Sequence, residues 1–391
     1  MPFSARLGFQ YANAPAVGPI LPDYPGIPTS TQYTNYLANL SATAATTISS
    51  NQSPNVAIAG YTVVSDATGN LHIPLRQTSK GSNFVKIDPA TNTVSNTQSS
   101  GFGNDQFQGG TLGSNGLIYY APRGNNSVGE FNPTTNALVI LPITGGPAGT
   151  VKYYGALTLP DGDILCLPQT NNKLLRFTPG NNAAVQVGEA SGQSNNGYGG
   201  FALAPNGNVY VFPNGNNNVC KYDPVANSWS SLGTASSKYR AGAVDNTGNI
   251  LVAPDNTSNI LEIDTTNNTF SERTFTGVSI NSSQGTPNCY GATSMPNGNV
   301  LLCGYKSNQH YEINASGNVG SEHTSTISSR PTFLGAAYGK NDKVYGVTAA
   351  FATGGQPNGL MDIFDTNANT DIASANIQMT FAISPAGTGS L

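Results

Sequence analysis

Apolar residues in this chain come in short runs, never in long stretches. Continuous or alternating apolar segments fall at 117–120, 164–167 and 250–252, and others at 84–87, 174–177 and 260–263. Polar, Gly- and Asn-rich segments separate them, and this pattern predicts short β-strands joined by tight turns. The strands recur in units. The clearest unit reads Pro205-Asn206-Gly207-Asn208, then an apolar run to Pro213, an Asn-rich loop at 214–218, a second strand through Tyr222, and a turn at Asp223-Pro224 with Asn227 and Trp229 after it. The turn glycines Gly69, Gly116, Gly162, Gly207, Gly248 and Gly298 are spaced by 47, 46, 45, 41 and 50 residues. A degenerate seventh copy turns at Asn341-Asp342-Lys343. A period of about 40 to 50 residues with four strands per unit predicts an all-β fold, a seven-bladed β-propeller of four-stranded antiparallel blades.

Within each unit the first strand carries tiny residues: Gly109-Gly110, Gly155-Ala156, Gly199-Gly200, Ala241-Gly242, Gly291-Ala292 and Gly335-Ala336. Innermost propeller strands crowd around an axial channel, where glycine permits close backbone approach. The fourth strand follows an asparagine at Asn92, Asn136, Asn182, Asn227 or Asn268, within turns of the Asp-Pro or Asn-Pro type. The strand that closes the ring stays open between residues 56–64 and 377–383. The repeat places the propeller at 55–391 and leaves 1–54 as an extended N-terminal arm. Pro15, Pro19, Pro22, Pro25 and Pro28 stiffen the arm's first half, and Tyr33, Tyr36, Leu37 and Leu40 recur at helical one-face spacing after it. Phe3, Phe9, Tyr11, Ile20, Tyr33 and Leu37 are its candidate anchors, either to the propeller itself or to a neighbouring subunit.

Composition changes the picture in one respect. Only 9% of the 391 residues are charged, against about 25% in ordinary globular chains. With 38% hydrophobic residues, this is β-structure with many polar turns, not disorder. A formal net charge of −4 gives no global attraction to nucleic acid or to an anionic membrane. No stretch approaches the roughly 20 apolar residues that a membrane-spanning helix requires, and the first 30 residues lack a secretory pattern. Cys166, Cys220, Cys289 and Cys303 fall inside strands. Pairing outward from the Asn297-Gly298 turn sets Cys303 opposite Ala292, so no disulfide is expected, and a reducing compartment is.

The Tyr-Asp-Pro-x-x-Asn-x-Trp run, Tyr222 to Trp229, resembles a Kelch blade. Gly207-Asn208-Val209-Tyr210 is similar to NHL and streptogramin-lyase-like blades. Trp229 is the only tryptophan, which departs from the Kelch pattern. The opening Met1-Pro2-Phe3-Ser4-Ala5-Arg6, together with the charge-poor, Asn/Ser/Thr/Gly-rich body, resembles a structural protein of a tailed-bacteriophage virion, tail or capsid-associated. That resemblance implies assembly in the host cytoplasm and other virion proteins as partners of residues 1–54. A lyase of the streptogramin type would imply a histidine cluster with a metal near the axis. His72, His310 and His323 are dispersed instead, and neither they nor the cysteines have metal-ligand spacing. Asp161-Gly162-Asp163 reads as a turn, without the further ligands a calcium site needs. The sequence therefore predicts no catalytic residues, no metal and no cofactor, and a non-enzymatic ring.

Charge placement is more informative. The connections into each first strand and those from second to third strand share one end of the ring, here the top. That end collects Arg76, Lys80, Arg123, Lys152, Lys173, Lys238, Arg240, Lys306 and Arg330. The other end collects Asp66, Asp88, Asp161, Asp163, Asp223, Asp245, Asp264, Asp342 and Asp365, with Lys340 and Lys343 as exceptions. At the basic mouth Tyr153, Tyr154, Tyr198, Tyr239 and Tyr290 join Lys152, Arg240 and Arg330. Stacking faces beside donors suit a sugar or an acidic cell-surface glycan. The same residues read equally as inter-blade packing. Three functions stay open: a virion structural protein tethered by its arm within a larger assembly, a glycan-binding module, and a lyase or hydrolase.

Overall fold

The computed structural model describes residues 46–49, 62–74, 83–91, 93–98, 107–124, 127–142, 153–168, 173–181, 184–189, 197–214, 217–280, 289–295, 298–305, 309–316, 318–324, 333–338, 343–348 and 360–365. They form a β-propeller of four-stranded antiparallel sheets. Six blades are each built from four consecutive strands. From the inside outward, blade 1 holds Val64–Ser65, Leu71–Pro74, Asn83–Asp88 and Thr93–Gln98, and blade 2 holds Phe107–Leu112, Ile118–Pro122, Ser127–Asn132 and Ala137–Pro142. Blade 3 comprises Tyr153–Thr158, Ile164–Pro168, Lys173–Phe177 and Ala184–Glu189. Blade 4 comprises Tyr198–Leu203, Val209–Pro213, Asn217–Asp223 and Ser228–Ala235. Blade 5 runs Tyr239–Val244, Ile250–Pro254, Ile260–Asp264 and Thr269–Arg273, and blade 6 runs Cys289–Ser294, Val300–Gly304, Gln309–Asn314 and Val319–Thr324.

The remaining sheet corrects the expectation of seven blades of consecutive strands. Its inner three strands are Phe333–Tyr338, Lys343–Thr348 and Leu360–Asp365, and its outer strand is Thr46–Ser49, paired antiparallel to Leu360–Asp365. Its inner strand lies between those of blades 6 and 1 and closes the ring. Among the described residues the closing strand is thus four residues near the C-terminal end of the segment assigned to the arm, Val64 belongs to the inner strand of blade 1, and 56–61 and 377–383 lie outside the described residues. The six arm anchors Phe3, Phe9, Tyr11, Ile20, Tyr33 and Leu37 lie outside the described residues. One prediction follows for truncations. Removing residues 1–45 should leave the thermal midpoint of the ring unchanged, whereas removing 1–50 should lower it by several degrees, because the last sheet then loses its outer ladder. Thermal unfolding of the two truncations checks this.

The turns explain the regularity. In the hairpins between first and second strands, the residue before the loop donates its N–H to the carbonyl four positions on, as Ala204 does to Asn208 at 2.8 Å. The loop glycine donates back, as Gly207 does to Ala204 at 3.0 Å. The glycines hold φ between 80° and 92° at Gly69, Gly116, Gly162, Gly207, Gly248 and Gly298, the third position of a three-residue hairpin loop, which a Cβ would strain. This loop length shifts the expected register by one residue. Cys303 faces Gly291, not Ala292, because Gly298 is the third loop residue rather than the second of two. All four cysteines are buried free thiols. Between third and fourth strands, Asn136, Asn227, Asn268 and Asn318 take φ near 50°, and the leading side chain caps the turn. Asp223 Oδ1 accepts from the amides of Val225 and Ala226, both at 2.9 Å.

Inner strands share a second device. The register against the second strand slips at Phe107/Gly110, Tyr153/Gly155, Tyr198/Gly200, Tyr239/Gly242, Cys289/Gly291 and Phe333/Gly335, a bulge at the same place in each. The bulge brings neighbouring inner strands into backbone contact. A Cβ built on Gly199 would lie 1.7 Å from the Tyr239 carbonyl oxygen, and one on Gly200 would lie 2.0 Å from that of Arg240. Apolar second-strand residues then fill the inter-blade layers, as Val209, Val211, Leu165 and Leu167 do between blades 3 and 4. Trp229 packs at the edge of this layer beside Tyr198 and Tyr222.

Candidate ligand site at the channel mouth

The bulge defines the top mouth, because the first residues of the inner strands sit there. Tyr153, Tyr154, Tyr198, Tyr239 and Tyr290 all occupy these positions and are all at most 3% exposed. Their rings fill the space between blades and offer no open stacking face. The physical reason is that inner strands are covered on both sides by neighbouring blades, and the bulge turns two successive side chains inward. Lys152 and Arg330 lie outside the described residues.

Arg240 is the member of the expected set that keeps chemistry to spare. Its Nε and Nη2 both contact Asp255 Oδ2, at 2.8 and 2.7 Å. Asp255 is held in turn by its own amide, which donates to the Lys238 carbonyl at 2.9 Å, and both partners are buried. The guanidinium lies over the ring of Tyr290 in the next blade, 4.9 Å from its centroid. Tyr305, at the top of the second strand of blade 6, continues the stack with ring centroids 4.0 Å apart and planes at 30°. Tyr305 is only half-buried. Nη1 of Arg240 is buried and has no hydrogen-bond partner. A buried cationic donor left unpaired is costly, so such atoms ordinarily meet an acceptor.

Asp255 and Tyr305 were missed in the sequence. Both directly follow the end of a second strand, and that position was the available signal, since the register Tyr239↔Pro254 and Cys289↔Gly304 puts these ends beside the inner-strand starts.

At the opposite end, the turn aspartates take structural roles. Asp163 meets Arg176 Nε at 2.7 Å, Asp161 meets its Nη2, and Arg176 also donates to the Pro224 carbonyl at 2.8 Å. The Asp161-Gly162-Asp163 turn is therefore part of a clasp between blades 3 and 4. Both carboxylates are used by Arg176. In blade 1, Asp66 Oδ2 contacts His72 Nε2 at 2.8 Å with both side chains buried. Burial alone would raise the Asp66 carboxyl, but the hydrogen bond and charge of His72 overcome it and hold the pKa at about 2. The equivalent Asp245 of blade 5 has no histidine. Its Oδ2 is buried without a partner, and burial, with Glu262 adding, pushes its pKa up to about 6 against the donors of Thr247 and Asn249. His310 is fully buried in the third strand of blade 6, in register with His323 on the fourth. The two histidines whose side chains are described are thus enclosed within blades.

No protein-family model matches the sequence, and no curated protein matches it. Solved structures do. Virginiamycin B lyase from Staphylococcus aureus aligns with a TM-score of 0.66 at 12% identity, covering 82% of this chain and 98% of that one. A catalytically inactive histidine-to-alanine variant of the same lyase, in complex with quinupristin, gives the same values. A streptogramin B lyase structure aligns at 0.65 with 15% identity over 83% and 98% of the two chains. The extracellular domain of a protein described as a hybrid two-component system from B. thetaiotaomicron aligns at 0.62 with 13% identity, covering 84% of this chain and 44% of that one. Such identities show a shared fold. They lend nothing to the Kelch or virion resemblances. They also overturn the expectation of a non-enzymatic ring, because the fold seen here is one on which lyases are built, and the lack of a catalytic motif in the sequence does not exclude catalysis.

Proposed function

We propose that this propeller binds a glycan at the top channel mouth, across the junction of blades 5 and 6. The observation that supports this reading is the Arg240–Tyr290–Tyr305 stack, with a fixed donor at one end and a half-open aromatic face at the other. A pyranose ring laid on Tyr305 would bury its C–H face. A glycan array probed with the full chain and with Tyr305→Ala tests it. Binding of a restricted set of sugars by the full chain, weakened about tenfold or more by the substitution, is the expected result, in line with the loss of one aromatic stacking contact. An array on which the two proteins behave alike removes the reading.

A second reading, lyase action on a bound ligand, is favoured by the fold shared with the lyases over nearly their whole length. Incubation with quinupristin followed by chromatography and mass spectrometry tests it, and an unconsumed parent peak argues against it for that substrate. Attachment of residues 1–54 to other virion proteins rests on the sequence resemblance. Co-sedimentation with particles of chains with and without residues 1–45 tests that attachment without touching the closing strand Thr46–Ser49.

A further inference from the structure

Each blade ends in an outer strand whose far side faces away from the ring. In blade 2 this strand is Ala137–Pro142, and among the described residues no strand pairs with its free side. Its sequence, Ala-Leu-Val-Ile-Leu-Pro, contains no polar side chain. The other outer strands, Thr93–Gln98, Ala184–Glu189, Ser228–Ala235, Thr269–Arg273, Val319–Thr324 and Thr46–Ser49, all carry hydroxyl, amide or charged ones. Leu138, Ile140 and Leu141 are half-buried against the inter-blade layers, but Val139 is 50% exposed. Sheets ordinarily guard such an edge with charges or with a covering segment. This ring covers one edge itself. On blade 6 the Gly320 amide donates to the Thr276 carbonyl at 2.7 Å, and the Thr276 amide donates to the Asn318 carbonyl at 3.2 Å. Among the described residues blade 2 has neither guard, and the sequence holds no charged residue from Phe131 through Val151.

We propose that this edge receives a second copy of the chain, paired antiparallel so that the two blade 2 sheets run on as one. A strand pairs antiparallel with itself only about a residue that meets its own copy, because residues whose backbone groups point outward must oppose one another. Centring the pair on Val139 sets Val139 against Val139, Leu138 against Ile140 and Ala137 against Leu141. Pro142, which has no N–H, then falls outside the ladder. Every opposed pair is apolar, so the edge is complementary to itself, as a two-fold interface requires. The one charged residue of the adjoining strand, Glu130, is held on the Tyr119 hydroxyl at 2.8 Å. It lies three strand spacings, about 14 Å, from its copy, beyond the range of strong repulsion in physiological salt. A five-residue ladder is a small interface, so the dimer has a dissociation constant of roughly 10 to 100 µM. Because the paired strands run in opposite senses, the two channel mouths open on opposite sides of the dimer.

Sedimentation velocity of the full chain between about 1 and 300 µM tests this, and a reversible monomer–dimer equilibrium is the expected result. Val139→Lys sets like charges against each other across the two-fold axis and should weaken the dimer at least about tenfold, as should Val139→Glu. An equimolar mixture of the two variants should restore it, since lysine then meets glutamate. Val185→Lys, at a 62% exposed valine on the outer strand of blade 3, should leave association unchanged. Circular dichroism and the thermal midpoint establish that each variant is folded, which the exposure of both positions permits. A chain that stays monomeric throughout overturns the proposal, as does a dimer that Val139→Lys leaves intact or that the mixture fails to restore. Hydrogen exchange at 138–141 should slow as concentration rises through the dimer range. Protection equally strong at the lowest concentration would mean that another segment already holds the edge, and it too overturns the proposal.

Discussion

Gly200→Ala is expected to be among the most damaging single-methyl additions to this protein, lowering its stability by more than about 3 kcal/mol. The new Cβ would sit 2.0 Å from the carbonyl oxygen of Arg240 and 3.0 Å from its carbonyl carbon, with the ring of Phe212 at 3.2 Å. None of this can be relieved by turning a flexible side chain, because the nearest atoms are backbone of the next inner strand. The ring has to open locally between blades 4 and 5, where the layer of Phe212, Tyr239 and Val252 is packed. Gly116→Ala provides the control. Its Cβ would meet nothing within 4 Å, but φ is +81°, so it pays only for the left-handed backbone, about 1 to 2 kcal/mol. Thermal unfolding of the two variants separates crowding from backbone strain. Equal losses would mean that the inner strands can part freely.

These two glycines illustrate what the sequence could and could not say. The period and the Asn-terminated outer turns were legible, but the length of the hairpin loops was not, since the sequence reads Gly298 as the second of two loop residues and Cys303 instead faces Gly291. Strand Thr46–Ser49 was not legible either, because a closing strand is selected by the free edge of Leu360–Asp365 and carries no turn motif of its own. At the mouth, alternation predicts that of two successive tyrosines one faces the channel. The bulge at Tyr153/Gly155 breaks that alternation, and Tyr153 and Tyr154 are both buried. The sequence reads Arg240 as a cation at the mouth. Its neutralisation by Asp255 depends on a contact between residues 15 positions apart, which charge placement by repeat position does not resolve. The acidic end reads as a set of turn aspartates, of which Asp342 lies outside the described residues, and Arg176 sits there too and compensates two of them.

His72→Leu should convert blade 1 into a copy of blade 5, and the molecule already contains both halves of that experiment. Asp66 and Asp245 open the same turn. Each accepts from the threonine two residues on, N–H at 2.8 Å and hydroxyl at 2.7 Å, and from the asparagine four residues on at 3.0 Å. The main difference is the partner of Oδ2, His72 with Asn70 Nδ2 at 3.4 Å in blade 1 and nothing in blade 5, where Leu251 occupies the histidine's position, Asn249 Nδ2 turns to Glu262, and Glu262 stands where blade 1 has Lys86. The Asp66 carboxyl, beside the imidazole, is held at about 2, whereas burial, with Glu262 adding, lifts the Asp245 carboxyl to about 6. Because the folded pKa of Asp66 lies below its unfolded value of 3.8, its contribution of about 2 kcal/mol is present above pH 4 and lost as pH falls through 2. Asp245 has the opposite sign. Its folded pKa lies above 3.8, so it costs about 3 kcal/mol above pH 6, and the cost is relieved as pH falls from 6 to 4. These two groups together place maximum stability near pH 4. His72→Leu removes one partner of a buried pair and should cost about 3 to 5 kcal/mol at pH 7. Much of that loss should return at pH 4 to 5, when the stranded Asp66 takes up a proton as Asp245 does. Asp245→Asn should do the reverse, raising the midpoint at pH 8 and losing its advantage by pH 4. Thermal midpoints of the three proteins between pH 2 and 8 decide the matter, and a His72→Leu deficit that stays constant across that range would mean that lost packing, not the unpaired carboxylate, sets the cost.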